Sequence, residues 1–184
     1  MTERQHGKAG RNMVKMLGAA LIVLAATLFG FAKARQFASR PAQIRHLILA
    51  LKRLETEIMY GFTPLPDALQ RIANQCSEPV KSLMEGAAGN MTPPLNWTAQ
   101  QSLQHAIETG WKHTAMKSAE KDVMLQLGFT LGTSDRKNQI GHIATAIRQL
   151  ESEEQAAREE QARYEKMSRS LGLLGGAFIV ILLY

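Results

Sequence analysis

The longest helical pattern in the chain lies in residues 134–184, which read SDRKNQIGHIATAIRQLESEEQAAREEQARYEKMSRSLGLLGGAFIVILLY. Ser134 and Asp135 suit its start, because short polar side chains accept hydrogen bonds from the first free backbone amides. Apolar residues then fit alternating spacings of three and four if Glu154, Gln161 and Ser168 occupy intervening positions, which is typical of a helix that packs along one seam. The seam residues are Ile140, Ile143, Ile147, Leu150, Ala157, Tyr164, Met167 and Leu171.

The seam is apolar as far as Leu150 and becomes polar beyond it, where Glu, Gln and Arg dominate. We therefore expect the first half to pack inside a helical bundle and the second half to form a stalk. No proline interrupts the pattern, so one helix of about 75 Å is predicted. The seam from Ile140 to Leu150 could instead pair two copies of the chain, which would make the protein a membrane-anchored regulator that acts through dimerisation.

Two uncharged apolar segments lie near the ends of the 184-residue chain. Residues 16–32 read MLGAALIVLAATLFGFA, and residues 171–184 read LGLLGGAFIVILLY. As helices they would rise about 25 Å and about 21 Å, near or below the thickness of a hydrocarbon core. We predict that both segments span the membrane. The alternatives are a cleavable signal peptide for the first and a buried or re-entrant helix for the second.

The flanks of these segments predict their orientation. Lys33 and Arg35 follow the first segment, and Lys166 and Arg169 precede the second. Because basic flanks favour the cytoplasmic side, the central region is predicted to be cytoplasmic, with both termini across the membrane. Glycines within the segments would let neighbouring membrane helices approach closely. These candidate packing glycines are Gly18, Gly30, Gly172, Gly175 and Gly176.

The central region has the pattern of a helical bundle, with Pro and Gly as its punctuation and no sustained strand pattern. A first helix is predicted over residues 41–60, ended by Gly61. Further helices are predicted to start at Thr63-Pro64, at Ser77-Glu78-Pro79, at Thr98 with a Gln101 capping box, at Ser118 and at Ser134. Residues 86–94 are predicted to be a loop. The predicted fold is all-α: a six-helix bundle between two transmembrane helices, its last helix continuous with the C-terminal one.

Composition and motifs argue against several functions. The net charge is +6, but Lys and Arg are interleaved with Asp and Glu and aromatic residues are few, so no nucleic-acid surface is predicted. The excess positive charge beside the apolar segments suits an acidic membrane surface. The single cysteine, Cys76, excludes an intramolecular disulfide and a cysteine metal cluster, and we expect it in the core.

No catalytic constellation is evident. Asp135, Gln139 and His142 share one helix face and predict a polar contact patch, since no nucleophile accompanies them. Glu57 is either a buried anchor for loop backbone or a solvated glutamate. The other histidines lack metal-ligand spacing, and no phosphate-binding glycine loop is evident. The sequence therefore predicts a non-enzymatic protein without catalytic, cofactor or metal sites, and without a small-molecule substrate.

Four groups of motifs carry a family resemblance. They are MVKMLGA at residues 13–19; RP at 40–41 with LETEIMYG at 54–61 and TPLPDAL at 63–69; LGTSD at 131–135 with Gln139 and His142; and KM at 166–167 with LGLLGG at 171–176. In order and spacing the chain resembles the stage III sporulation protein AB family of endospore-forming Firmicutes. The match covers residues 13–184. Residues 1–12 are then an extension, which favours Met13 as the translation start, followed by an anchor (13–35), a cytoplasmic bundle with stalk (36–168) and a second transmembrane helix (169–184).

The resemblance implies a membrane component of the channel-like complex between mother cell and forespore, located in the mother-cell membrane facing the forespore. It also implies a helical domain similar to the cytoplasmic domains of type II secretion and type IV pilus platform proteins, which contact a cytoplasmic ATPase. Expected partners are the other stage III sporulation A-operon proteins, especially their ATPase, and the lipid bilayer. Candidate contact residues are Glu57, Tyr60, Thr63, Pro64, Asp135, Gln139 and His142. For Tyr60 and Pro64, core packing and helix initiation are the alternative roles.

Overall fold

The computed structural model describes residues 38–61, 63–131 and 135–183, with residue 169 and residues 171–183 described by their backbone alone. These residues form six α-helices and one short 3₁₀ helix, and no strand occurs among them. The helices are α1 (residues 38–60), α2 (Leu65–Ala73), α3 (Val80–Met91), α4 (Ala99–Gly110), α5 (Ser118–Thr130) and α6 (Arg136–Leu183), with the 3₁₀ helix at Trp111–His113. The all-α class and the six helices are therefore confirmed.

The chain divides into two compact units, one formed by residues 37–163 and the other by residues 1–36 with 164–184. Within the part of the chain that the structure describes, no helix is both long and apolar enough to cross a membrane. The predicted segment 16–32 and its glycines Gly18 and Gly30 lie outside the described residues. For the predicted segment 171–184, the structure describes only the backbone of residues 171–183. The predicted packing role of Gly172, Gly175 and Gly176 therefore lies outside what is described.

Helix α1 provides the apolar face that its spacing predicts. Ile44, Leu47, Leu51 and Leu54 are all buried, and Ile58 is partly buried against the same core. Gly61 follows the helix and donates its N–H to the Glu57 carbonyl oxygen at 2.8 Å, so the predicted end is confirmed. These contacts attach one face of α1 to the core, and burial of large aliphatic side chains is the main favourable term in folding.

Helix α6 runs antiparallel to α1. Four ion pairs join them: Arg40 with Glu153 and with Glu160, Arg45 with Glu154, and Lys52 with Glu151. Residue numbers rise along α1 as they fall along α6, so the start of α6 lies beside the end of α1. A hydrogen bond from Arg136 Nη2 to the Gly61 carbonyl oxygen, at 3.0 Å, marks that end of the pair.

The remaining helices pack in chain order, α2 on α3, α3 on α4 and α4 on α5. Gly110 allows a close approach between α3 and α4, since a Cβ there would lie 2.7 Å from Leu83 Cδ2. The connection from α4 to α5 is fixed by buried Trp111, whose indole N–H donates to the Lys117 carbonyl oxygen at 3.1 Å. The capping box of α4 is confirmed, with Thr98 and Gln101 exchanging side-chain and backbone hydrogen bonds.

Two predicted boundaries are wrong. Of the predicted loop 86–94, residues 86–91 are helical instead, because α3 continues through Met91 and buries Ala87 and Ala88 against the core; residues 92–94 lie outside the helix, as predicted. Gly86 lies within this helix and packs near Ala106, where an added Cβ would make ordinary contact at 3.5 Å. Burial of the neighbouring alanines thus outweighs the weak helix propensity of glycine. The second helix begins at Leu65 with Pro64 as its N-cap residue, so Thr63 does not cap it.

The seam of α6 is buried within its own bundle as far as Leu150. Ile143, Ile147 and Leu150 all belong to the core, which confirms that the first half packs in the bundle. The predicted dimer surface, Ile140–Leu150, is therefore wrong, because its buried side chains pack inside the bundle and could pair with a second copy only if the bundle opened. Beyond Leu150 the seam residues diverge: Ala157 is buried, whereas Tyr164 and Met167 are exposed.

Candidate functional site

A cleft of about 260 Å³ lies where α1 ends and α2 and α6 begin. It is lined by Glu57, Ile58, Gly61, Thr63, Leu65, Ala68, Arg136 and Gln139. Three of the seven predicted contact residues, Glu57, Thr63 and Gln139, are therefore brought together from two distant parts of the chain. The lining combines both charges with aliphatic side chains, which suits contact with a protein segment better than chemistry on a small molecule.

The turn between α1 and α2 shapes this cleft. A Cβ on Gly61 would overlap the Glu57 carbonyl oxygen and lie 3.1 Å from Glu57 Oε2. The bond between Glu57 and the turn at Gly61 is made by the backbone carbonyl of Glu57, so it is not the predicted side-chain anchor; the half-buried carboxylate lies beside the turn. Arg136 holds the turn from α6 through the Gly61 carbonyl oxygen. Sequence reasoning missed Arg136, because an exposed residue in the first turn of a helix carries no periodic signal.

The other four predicted contact residues lie at or near the cleft in different roles. Tyr60 is 76% exposed, so core packing is wrong for it. Pro64 is exposed and is the N-cap residue of α2, where its carbonyl oxygen accepts the Ala68 N–H at 3.0 Å, so its place at the helix start is confirmed. His142 is exposed but is not part of the lining. The contact role of all seven residues stays a prediction.

Asp135 has a structural role that competes with partner contact. Its Oδ1 accepts the Asn138 backbone N–H at 2.8 Å, and its Oδ2 accepts from Asn138 Nδ2 at 3.0 Å. The predicted N-cap of α6 is therefore confirmed at Asp135, where a carboxylate also interacts favourably with the helix dipole. Substitution of Asp135 would perturb the helix start as well as any contact surface.

A second cluster of charged residues lies toward the other end of the α1–α6 pair. We call it the Arg40 cluster; its members are Arg40, Lys117, Glu120, Glu153 and Glu160. Arg40 is 6% exposed and Glu120 is fully buried. Arg40 Nε donates to Glu120 Oε1 at 2.9 Å, Nη1 to Glu160 at 2.9 Å and Nη2 to Glu153 at 3.3 Å. The cluster joins α1, the start of α5 and the polar half of α6.

Both oxygens of the buried Glu120 are occupied. Oε1 accepts from the Arg40 guanidinium, and Oε2 accepts the Lys117 backbone N–H at 2.8 Å, at the N-terminus of α5. The Lys117 ammonium group points instead to Glu160, at 2.8 Å. This pairing is what a buried carboxylate requires, because an uncompensated charge in the interior is costly.

Two carboxylates of α6, Glu154 and Glu160, are stabilised in their charged form by their partners. Hydrogen bonding from Lys117, aided by the charge of Arg40, lowers the pKa of Glu160. Burial opposes ionisation of Glu154, but hydrogen bonds from Arg158 and Arg45 outweigh it and lower its pKa as well. Both groups therefore favour the folded state when they are charged.

Acid is expected to weaken the attachment of α6. A carboxylate whose folded-state pKa is lowered contributes stability that is complete above its ordinary pKa of 4.5 and is lost as the pH falls through the folded value. We expect each of Glu154 and Glu160 to contribute less than about 1 kcal/mol, because both pairs reach solvent. Thermal unfolding of the full chain between pH 7 and pH 3 should show a smaller acid loss in Glu154→Gln/Glu160→Gln than in the wild type, and equal losses would contradict the assignment.

Cys76 is partly buried against the core, as predicted, and burial raises the pKa of its thiol. Among the residues that the structure describes, no group of three or more His, Cys, Asp or Glu side chains is placed to hold a metal ion. His46 lies 3.4 Å from the Ser77 hydroxyl, and His105 packs edge-on against Trp97 with ring centroids 5.1 Å apart. Both histidines thus have local structural partners.

Comparisons with known proteins agree with each other. The model of the family described as stage III sporulation protein AB matches residues 15–184. Stage III sporulation protein AB of Bacillus subtilis (strain 168) is 41% identical over 171 residues, which are 93% of this chain and 99% of that protein. A solved structure of stage III sporulation protein AB has a TM-score of 0.64 and 38% identity, covering 68% of this chain and 98% of the solved one. The similarity therefore includes both the sequence and the fold.

Proposed function

Because this chain belongs to the stage III sporulation protein AB family, we propose that it is a non-enzymatic platform component of the sporulation channel complex between mother cell and forespore. In this role it binds a cytoplasmic ATPase and membrane partners encoded by the same stage III sporulation A operon. It lies in the mother-cell membrane facing the forespore. Residues 13–35 and 169–184 anchor it in the bilayer, and the bundle with its stalk, residues 36–168, lies in the cytoplasm.

The position of the cleft is the observation that carries this proposal. The cleft lies at the end of the α1–α6 pair where α1 ends and α6 begins. The start of α1, near residue 38, and residue 163 of α6 lie at the opposite end of the same pair, where Arg40 contacts Glu160. Within the bundle, the cleft is therefore separated from the two points at which the chain continues toward the predicted anchors.

The chemistry around the cleft also suits a protein partner. Met59 and Tyr60 are exposed beside it, and Arg136 and Glu57 line it. Tyrosine and arginine are enriched among the residues that dominate binding energy at protein interfaces. The Tyr60 side chain is three-quarters exposed, so most of its aromatic surface does not pack in the core and can be buried by a partner instead.

Tyr60→Ala is expected to reduce the amount of ATPase that co-purifies with the full-length protein by about tenfold or more, as for a central interface tyrosine. The physical reason is loss of the largest exposed aromatic surface beside the cleft. The measurement is quantitative recovery of the ATPase from sporulating cells in mild detergent. Leu49→Ala is the matched control, because Leu49 is also an exposed apolar residue of α1, about two turns from Glu57, the nearest α1 residue of the cleft.

Gln139→Lys tests the α6 side of the same cleft. We expect it to reduce recovery as well, while Gln149→Lys, an exposed position of the same helix outside the lining, should not. Circular dichroism should report unchanged helicity in all four variants. Wild-type recovery of the ATPase in both Tyr60→Ala and Gln139→Lys would show that the cleft is not the contact.

A further inference from the structure

The two halves of α6 are held to the bundle by different forces. Residues 136–150 contribute Ile143, Ala146, Ile147 and Leu150 to the core. From residue 151 to residue 168, Ala157 is the one buried side chain among those that the structure describes. Apolar burial therefore secures the first half, whereas the second half depends on its charges.

The charges at this contact are segregated by helix. Residues 151–160 of α6 contribute carboxylates to the pairs with α1 and α5, and α1 and α5 contribute cations. The α6 carboxylates are Glu151, Glu153, Glu154 and Glu160; their partners are Arg40, Arg45, Lys52 and Lys117. A contact of this kind is weakened by salt, while an apolar contact is not.

We propose that residues 151–163 of α6 form a releasable strap, held to α1 and α5 by these ion pairs and able to leave while residues 136–150 remain packed. The strap goes beyond the partner contact proposed above and does not depend on it. It gives α6 two arrangements on one intact core, which is the kind of two-state element that conformational coupling requires.

The Arg40 cluster makes release possible without exposing the interior to an unpaired charge. When the strap leaves, Arg40 keeps its bond to buried Glu120, and Glu120 keeps the Lys117 backbone N–H. Glu153 and Glu160 are each already about one-third exposed, so they pass into water with little change in hydration. Breaking the strap contacts therefore does not carry the large cost of breaking a fully buried pair.

Distances between spin labels test the strap in the full-length protein in detergent. In a Cys76→Ala background, Ala42→Cys and Ala156→Cys place labels on exposed positions of α1 and the strap. Leu49→Cys and Thr145→Cys report in the same way on the first half of α6. We expect Glu153→Gln/Glu160→Gln to raise the long-distance population of the 42/156 pair roughly threefold to tenfold, as loss of solvent-accessible ion pairs should. The 49/145 pair should keep its wild-type distribution.

Salt provides a second perturbation without any substitution of the strap. At about 1 M salt, where screening acts over about 3 Å, the wild-type 42/156 pair should gain the same long-distance population. Glu159→Gln/Glu165→Gln is the matched control, since it removes the same charge from exposed positions of α6 that do not pair with α1 or α5. An unchanged 42/156 distribution under both perturbations would overturn the strap, and so would parallel changes in both label pairs, because the whole of α6 would then be moving.

Discussion

Arg40→Met is expected to lower the free energy of unfolding by about 3–5 kcal/mol, because it leaves a buried carboxylate without its cation. Glu120 is fully buried, and the Arg40 guanidinium approaches its Oε1 at 2.7 Å and 2.9 Å. Methionine fills a similar volume but brings no charge and no N–H donors, so the buried Glu120 carboxylate loses both its cation and the hydrogen bond to Oε1. Thermal unfolding of the full-length protein, followed by circular dichroism, measures the loss.

Arg45→Met is the control for this substitution. Arg45 also pairs with a carboxylate of α6, Glu154, but its own side chain is about half exposed. We expect it to cost no more than about 1 kcal/mol. A Glu120→Gln substitution added to Arg40→Met should recover part of the loss, since glutamine is neutral and can still accept the Lys117 N–H. Equal losses in Arg40→Met and Arg45→Met would mean that burial adds nothing to the Arg40 cluster.

Local signals explain which parts of the fold the sequence predicted. The three–four spacing from Ile44 to Ile58 and the glycine after Tyr60 identified α1, because both features lie within one helix and its end. The capping box at Thr98 and the cap at Asp135 were predicted for the same reason. The loop assigned to residues 86–94 was wrong for residues 86–91, where a local signal, the glycines of α3, was overridden by packing against α4.

The Arg40 cluster could not be predicted in this way. Arg40 is 80 residues from Glu120, 113 from Glu153 and 120 from Glu160 in the sequence. Each of these residues occupies an ordinary polar position in its own helix, and only the antiparallel pairing of α1 with α6 brings them together. The polar half of α6 was expected to be a stalk because its seam lacks apolar residues. The structure shows that part of it, residues 151–160, contacts the bundle through charge instead.

The candidate site was predicted in part. Glu57, Thr63 and Gln139 were named from motifs in two separate segments, and the fold places all three in one cleft. The sequence pattern grouped Asp135, Gln139 and His142 because they share a helix face. The structure separates their roles, since Asp135 caps α6 and His142 lies outside the lining. A helix face predicts which side chains point in one direction, but the neighbouring helices decide which of them meet a cleft.

Gly61→Ala is expected to destabilise the protein by about 1–3 kcal/mol, the cost of forcing an extra carbon into a packed site. The new Cβ would overlap the Glu57 carbonyl oxygen, a backbone atom that cannot rotate away. The turn would have to open, which would move the Gly61 carbonyl oxygen away from Arg136 and change the shape of the cleft. We therefore expect recovery of the ATPase to fall together with thermal stability.

Gly141→Ala separates this effect from a general response to losing a glycine. Gly141 lies on the exposed side of α6, and a Cβ there would have no neighbour within 4 Å. Alanine should stabilise that helix by about 0.5–1 kcal/mol and leave ATPase recovery unchanged. If Gly61→Ala retained both wild-type stability and wild-type recovery, the tight turn at Gly61 would not be what shapes the cleft. If it lost stability alone, the turn would matter for folding and the partner would bind elsewhere.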